Sequence, residues 1–244
     1  MRNSREYATV LNKLIRKARR SKGTPEEHEL TDPVTEIILG YLTFHTTESK
    51  GTTALNRLKS HFVDFNELRV CRESEVVRIL GSSFPQVRDV ASMILQSLRE
   101  IFDQQDTLIL DFLKNVGKRE GKIFLEGLKV LPTYVQSRVM LRSLNGHAFP
   151  VHEKLITTLQ AEGAVDPKAS EADVQGFLER QFASKDIHKT YALLRNFVDT
   201  YKLKSATSAK IATTVPAKSK AKETTKTTKK KTKAASKKKR KVLG

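Results

Sequence analysis

The sequence predicts an all-α protein with two small helical lobes and a disordered, Lys-rich C-terminal tail. Apolar residues recur every three or four positions almost throughout 1–203, and no alternating run of useful length suggests a strand. Positive charge is concentrated at the ends. The 244 residues carry 45 Lys+Arg against 27 Asp+Glu, a formal net charge of +18. Residues 1–22 hold eight basic residues and Glu6, net +7, and residues 204–244 hold fourteen Lys, Arg240 and Glu223, net +14. The body between them has 22 basic and 25 acidic residues, net −3.

The first helix places Tyr7, Val10, Leu11, Leu14 and Ile15 on one stripe. Arg16, Lys17, Arg19 and Arg20 occupy the other face, and Gly23 and Pro25 end the helix. A basic amphipathic helix can lie on an anionic membrane, but this narrow stripe is needed to pack 1–22 on the second lobe. Asp32-Pro33 is a strong helix start, an N-cap acid followed by proline at the first helical position. That helix runs toward Phe44. Others are expected at 50–63, at Glu73–Leu80 with a stop at Gly81, and at 85–103. The last of these keeps its 3–4 spacing over five turns and is expected at the centre of the core. Shorter helices follow near 107–114, 120–130, 135–144, 150–161, 170–182 and 185–203, about ten in all. Lobe boundaries are expected at 30–145 and 146–203.

Several classes are excluded. No stretch approaches the ~20 apolar residues of a bilayer span. The start, MRNSREY, lacks the apolar core of an export signal, which points to an intracellular protein. A single cysteine, Cys71, rules out an internal disulfide framework and any cysteine-ligated metal within one chain; it is expected to be a small core residue. There is no Gly-rich phosphate loop, H-E-x-x-H, G-x-S-x-G or EF-hand loop, and the six histidines are scattered. No metal and no small-molecule cofactor is expected.

The tail contains Lys, Thr, Ala and Ser without an aromatic residue, too little apolar surface to offset the entropy of ordering. Lys229, Lys230, Lys231 and Lys237-Lys238-Lys239-Arg240-Lys241 are suited to polyanions, which such chains bind by releasing condensed counterions. The last run, through Val242, also looks like a nuclear import signal. A purely solubilising tail is the alternative.

Residues 122–163 form the informative segment: a helix, a tight Leu131-Pro132 turn, a helix, a short loop, and Pro150-Val151 opening another helix. This resembles the helix–hairpin–helix DNA glycosylase superfamily, and within it the endonuclease III branch. That family has Leu-Pro-Gly-Val-Gly-Arg-Lys-Thr-Ala at the hairpin and Val-Asp-Thr-His at the helix that carries its catalytic aspartate. Leu131, Pro132 and Val151 match. Leu42-Thr43-Phe44-His45-Thr46-Thr47-Glu48 stands where the family has the loop that probes the base stack. Asp186-Ile187-His188-Lys189-Thr190-Tyr191-Ala192-Leu193-Leu194 stands at its later Asp-Cys-His-His motif. The resemblance spans about 5–203, and the order of the pieces carries it.

The departures fall on the chemistry. The family's Schiff-base lysine is Ser137 here, and a hydroxyl cannot form an imine with the sugar. Arg138 is adjacent, but a guanidinium stays protonated. The family's aspartate is His152, which supplies no fixed negative charge to an oxocarbenium-like transition state. Glu153 is the possible substitute, although one residue along a helix turns ~100° away. Thr133 and Val135 replace the hairpin glycines, and the four-cysteine cluster is absent.

The resemblance implies double-stranded DNA as partner, bound largely without sequence preference. His45 and Thr46 are placed to probe a base gap. Thr133, Tyr134 and Gln136 lie at the hairpin, and Lys129, Arg138 and Arg142 could form one basic cluster. Tyr134 either packs on a sugar or base or joins the two hairpin helices. Three readings stay open: a glycosylase fold that binds DNA without excision chemistry, an active divergent glycosylase using His152, Glu153 or His45, and an all-α architectural nucleic-acid-binding protein. Oligomeric state is open, and a nucleoid or cytoplasm suits the sequence as well as a nucleus.

Overall fold

The structure, a computed structural model, describes residues 3–22 and 30–202. The Lys-rich tail, with its two basic runs at 229–231 and 237–241, lies outside the described residues. Among these are twelve helices and no strand: α1 Ser4–Lys22, α2 Pro33–Phe44, α3 Glu48–His61, α4 Phe65–Val70, α5 Glu73–Leu80, α6 Val87–Gln105, α7 Phe112–Asn115, α8 Lys118–Gly127, α9 Thr133–Arg142, α10 Glu153–Ala161, α11 Glu171–Gln181 and α12 Ser184–Thr200. None of them is long and apolar enough to cross a membrane.

Two hydrophobic cores organise the helices. The first gathers buried side chains from Val34 to Ala148. The second joins Leu11, Leu14, Ile15 and Ala18 of α1 to Leu141, Phe149 and the apolar faces of α10 to α12. Helix α1 packs along α12, so both ends of the described chain close the second core.

The centre of the first core is α2, which corrects the expectation that the 85–103 helix holds that place. Ten of the twelve α2 residues are buried, from Pro33 to Thr43, whereas α6 buries one face, including Val90, Ile94, Leu98 and Ile101. The physical reason lies in the patterns. A long helix with a polar face covers a core, and a short, mostly apolar helix whose one charge, Glu36, is paired within the protein is enclosed by one. The α2 start follows from its sequence: Asp32 Oδ2 accepts from Thr35 N at 2.7 Å, and Pro33 opens the first turn.

Helix α3 lies so close on α2 that a Cβ at Gly51 would fall 2.3 Å from Thr43 Cγ2. Only glycine permits that approach, which fixes the short loop 45–47 between the two helices. Helix α4 lacks the length to show a period, and the spacing missed it. Its signal is Asp64 with Glu67 three residues on. Asp64 Oδ1 accepts from Glu67 N at 2.8 Å, and a Glu67 carboxylate oxygen accepts from Val63 N at 2.6 Å. The helix expected near 107–114 shrinks to four residues, because Thr107 Oγ1 accepts from Ile109 N in a local turn. Gly81, with φ of 90°, ends α5 as its position predicts.

The hairpin joins α8 to α9. Its turn amides are engaged within the protein: the carboxylate of Glu100 on α6 accepts from Lys129 N at 2.9 Å and from Val130 N at 3.3 Å. Gln136 Nε2 donates to Leu131 O at 2.9 Å, so its amide braces the turn. Cys71 is half-buried between α4 and α5 rather than enclosed in the core, and burial pushes its thiol pKa up.

Candidate functional site

A cleft of about 470 Å³ opens between the two lobes. One wall is Phe44, His45, Thr46, Thr47 and Lys50, from the end of α2 to the first turn of α3. The other is His152, which precedes α10, and Glu153, Lys154 and Thr157 of α10, with Pro85 at the margin. Thr47 caps α3 by accepting from Lys50 N at 3.3 Å, and Asp199 Oδ2 of α12 accepts from Glu48 N at 2.8 Å. The first turn of α3 is therefore satisfied from within the chain.

Behind the cleft lies a buried ion network. Arg138 of α9, 0% exposed, pairs through Nε with Glu36 of α2 and through Nη2 with Glu48 Oε1 of α3; its Nη1 donates to Glu48 Oε2 at 2.9 Å and to Tyr191 OH at 3.1 Å. Arg195 of α12 donates to Thr43 O at 2.9 Å and lies 3.3 Å from Asp199 Oδ1. Arg142 Nε lies 3.3 Å from the Glu36 carboxylate. Three guanidinium groups thus face three carboxylates across both lobes. Burial pushes the Glu48 carboxyl up, but the Arg138 charge more than reverses this and holds its pKa at about 2.

Several site expectations are corrected by these contacts. Arg138 does not join Arg142 and Lys129 in a surface cluster, since its charge is spent on Glu36 and Glu48. Lys129 is exposed, while Arg142 is only partly exposed beside Glu36. Tyr134, 1% exposed, is an interior contact and not a tip for a sugar or base; its hydroxyl lies 3.3 Å from both Thr43 Oγ1 and Arg138 Nη1. Thr46 turns its hydroxyl onto Leu42 O, and Arg195 Nη2 donates to Thr46 O, so its main chain is pinned to α12. His45 remains exposed on the cleft wall and stacks edgewise on Phe44, and Thr133 is exposed at the hairpin.

The positions that resemble the family's catalytic pair are both interior. Ser137, 5% exposed, accepts through Oγ from Gln175 Nε2 of α11 at 3.0 Å. His152, 3% exposed, lies 2.7 Å through Nε2 from Arg195 Nη1. A guanidinium only donates, so Nε2 is the unprotonated acceptor and Nδ1 carries the ring hydrogen. That Nδ1 is buried without a partner. Burial, reinforced by the Arg195 charge, drives the His152 pKa well below the ordinary histidine value. Glu153, expected to point elsewhere, is exposed and lines the cleft. His152 is the N-cap, with extended backbone at φ −132° and ψ 162°, so the ~100° step between helical neighbours does not apply to this pair. Among the described residues no group of three or more His, Cys, Asp or Glu is placed to hold a metal ion.

No family model and no curated protein matches the sequence. Solved structures do match. Endonuclease III trapped as a covalent intermediate with DNA, in an estranged-adenine complex, is 14% identical, covers 81% of this chain and 86% of that one, and gives a TM-score of 0.62. A non-covalent endonuclease III–DNA complex is 13% identical over 78% and 85%, with a TM-score of 0.61. The Clostridium acetobutylicum 8-oxoguanine glycosylase/lyase, in complex with double-stranded DNA containing cytosine opposite 8-oxoguanine, is 16% identical over 80% and 70%, with a TM-score of 0.59. This chain is similar to those proteins in backbone path, and its fold is that of the helix–hairpin–helix DNA glycosylases.

Proposed function

We propose that this chain binds double-stranded DNA, largely without sequence preference, on a glycosylase fold from which excision chemistry has been lost. One observation carries the reading. The two positions that resemble the family's lysine and aspartate hold Ser137 and His152, both buried and both hydrogen-bonded to the protein. Neither offers a nucleophilic amine or a fixed negative charge to a sugar carbon. The relatives in fold, described as DNA complexes, support DNA as the partner. So does the basic face of α1, where Arg16, Lys17, Arg19 and Arg20 are exposed. Lys17 also pairs with Glu162 at 3.3 Å, which leaves Arg16, Arg19 and Arg20 as its stronger phosphate contacts. On this reading the tail and α1 grip the backbone, the body recognises duplex shape, and the protein resides with nucleic acid in a nucleoid or nucleus.

Binding of the full chain to a labelled duplex over a range of salt tests it. With about ten phosphate contacts, log affinity falls with log salt at a slope near −9. Removal of 204–244 abolishes most of that slope. Absence of duplex binding at low salt would overturn the reading, and an unchanged slope would move the anchor from the tail to the body.

A second reading has its own observation. Glu153 places an exposed carboxylate in the cleft beside His45, where an acid or base of a divergent glycosylase would stand. Release of base from damaged duplex, lost in Glu153→Gln, would favour it.

A further inference from the structure

The two walls of the cleft differ in their helix ends. The first turn of α3 is capped by Thr47 and Asp199. Helix α10, nine residues long, has no side-chain cap: its N-cap residue is His152, whose ring is turned to Arg195. The amides of Glu153 and Lys154 open this helix, and its N-terminus carries the partial positive charge of the aligned peptide dipoles. Two further features point to an anion. His152 lines the cleft, is 97% withdrawn from solvent, and leaves Nδ1–H without an acceptor. A buried donor without a partner costs free energy that an acceptor would recover. Lys50 and Lys154, one from each wall, line the same space, and Lys154 Nζ also donates to Asp199 O at 3.1 Å, which leaves it two further donors. Phe44 and Pro85 add an apolar edge.

We propose that the α10 wall of the cleft is a binding site for a phosphate monoester, either the terminal phosphate of a DNA strand or that of a free nucleotide. Three donor sets, the α10 amides, His152 Nδ1–H and the two lysines, suit the three terminal oxygens and the charge of about −1.5 to −2 that a monoester carries at neutral pH. A backbone diester offers two terminal oxygens and one charge. The sugar and base of the same nucleotide have Phe44 and Pro85 to pack on. Glu153 is the carboxylate that lines this space and opposes the ligand. The site uses the cleft of the DNA-binding reading, but it binds where that reading requires no chemistry.

The test uses the full chain. Inorganic phosphate is titrated while the histidine ring nitrogens are followed by NMR, and duplexes with 5′-phosphate or 5′-hydroxyl ends are compared by anisotropy, with deoxyadenosine 5′-monophosphate as competitor. The His152 ring signals shift saturably with inorganic phosphate. The paired substitution Lys50→Gln, Lys154→Gln removes the shift and leaves the circular dichroism intact. Because substitution at His152 disturbs the ion network, the exposed lysines carry the test. The Glu153→Gln variant binds phosphate about threefold to tenfold more tightly, the scale of one charge at a helix end. If strand ends are the source, the 5′-phosphate duplex binds several-fold tighter than the 5′-hydroxyl one. If free nucleotide is the source, the mononucleotide shifts His152 and the ends bind alike.

Unmoved His152 signals together with equal binding of the two ends would overturn the inference and leave the DNA reading standing. A saturable His152 shift without duplex binding would sustain the inference and defeat the DNA reading.

Discussion

On the α3 and α9 side of the interlobe cleft, Arg138, Arg142 and Arg195 face Glu36, Glu48 and Asp199, and the first turn of α3 is closed by its own neighbours. On the α10 side the helix start has no side-chain cap and a buried ring donor has no acceptor. The first wall is held by ion pairs within the protein, although Arg195 Nε and Asp199 Oδ1 make no hydrogen bond there, and the second presents an uncapped helix start and an unpartnered ring nitrogen. Charges that share one dry region are matched because an unmatched one costs several kcal/mol. An incomplete helix end is tolerated where solvent or a ligand can complete it.

The largest break in this contrast comes from Arg138. An Arg138→Ala substitution leaves the fully buried Glu36 short of its main partner, and urea unfolding should show a loss of about 3–5 kcal/mol. A loss under about 1 kcal/mol would show that the network is not holding the lobes together.

Acid is the next lever. The Glu48 pKa is depressed to about 2 in the folded chain, against an ordinary value of 4.5. In the unfolded chain the group binds its proton first, so its contribution is fully present above pH 4.5 and is lost as pH falls toward 2. Melting temperature should drop across that window, and Glu48→Gln should flatten the drop while lowering stability at neutral pH. Unchanged pH dependence in the variant would move the acid sensitivity to another carboxylate.

The smallest effects sharpen the comparison between the helix ends. Thr47→Ala removes a cap and should cost about 1 kcal/mol. Lys154→Gln, on the α10 wall, should stay within about 0.5 kcal/mol, as surface changes do. Equal costs would mean that the two ends are not different in kind.

The sequence showed features encoded within a few residues. Asp32-Pro33 marks the start of α2, Gly81 marks the stop of α5, and Leu131-Pro132 marks the hairpin, because each acts through its own backbone. The ion network was hidden. The Arg138 partners Glu36 and Glu48 lie 102 and 90 residues away, and a local reading of Arg138 with Arg142 sees only two cations on one helix. Likewise the burial of Tyr134 depends on Thr43 and Tyr191 from other helices. The ~100° step between His152 and Glu153 fails because the helix begins between them. Pro150-Val151 marks the helix start too early, since α10 opens only at Glu153.

The central claim is that the fold persists while the groups at the family's reactive positions serve structure. It is tested most directly by single-turnover incubation of the full chain with duplexes bearing uracil, oxidised pyrimidine, alkylated purine or an abasic site, with borohydride present in parallel. The account predicts DNA binding without free base and without a trapped covalent adduct. A borohydride-trapped adduct, or base released in proportion to protein and abolished by Glu153→Gln, would contradict it.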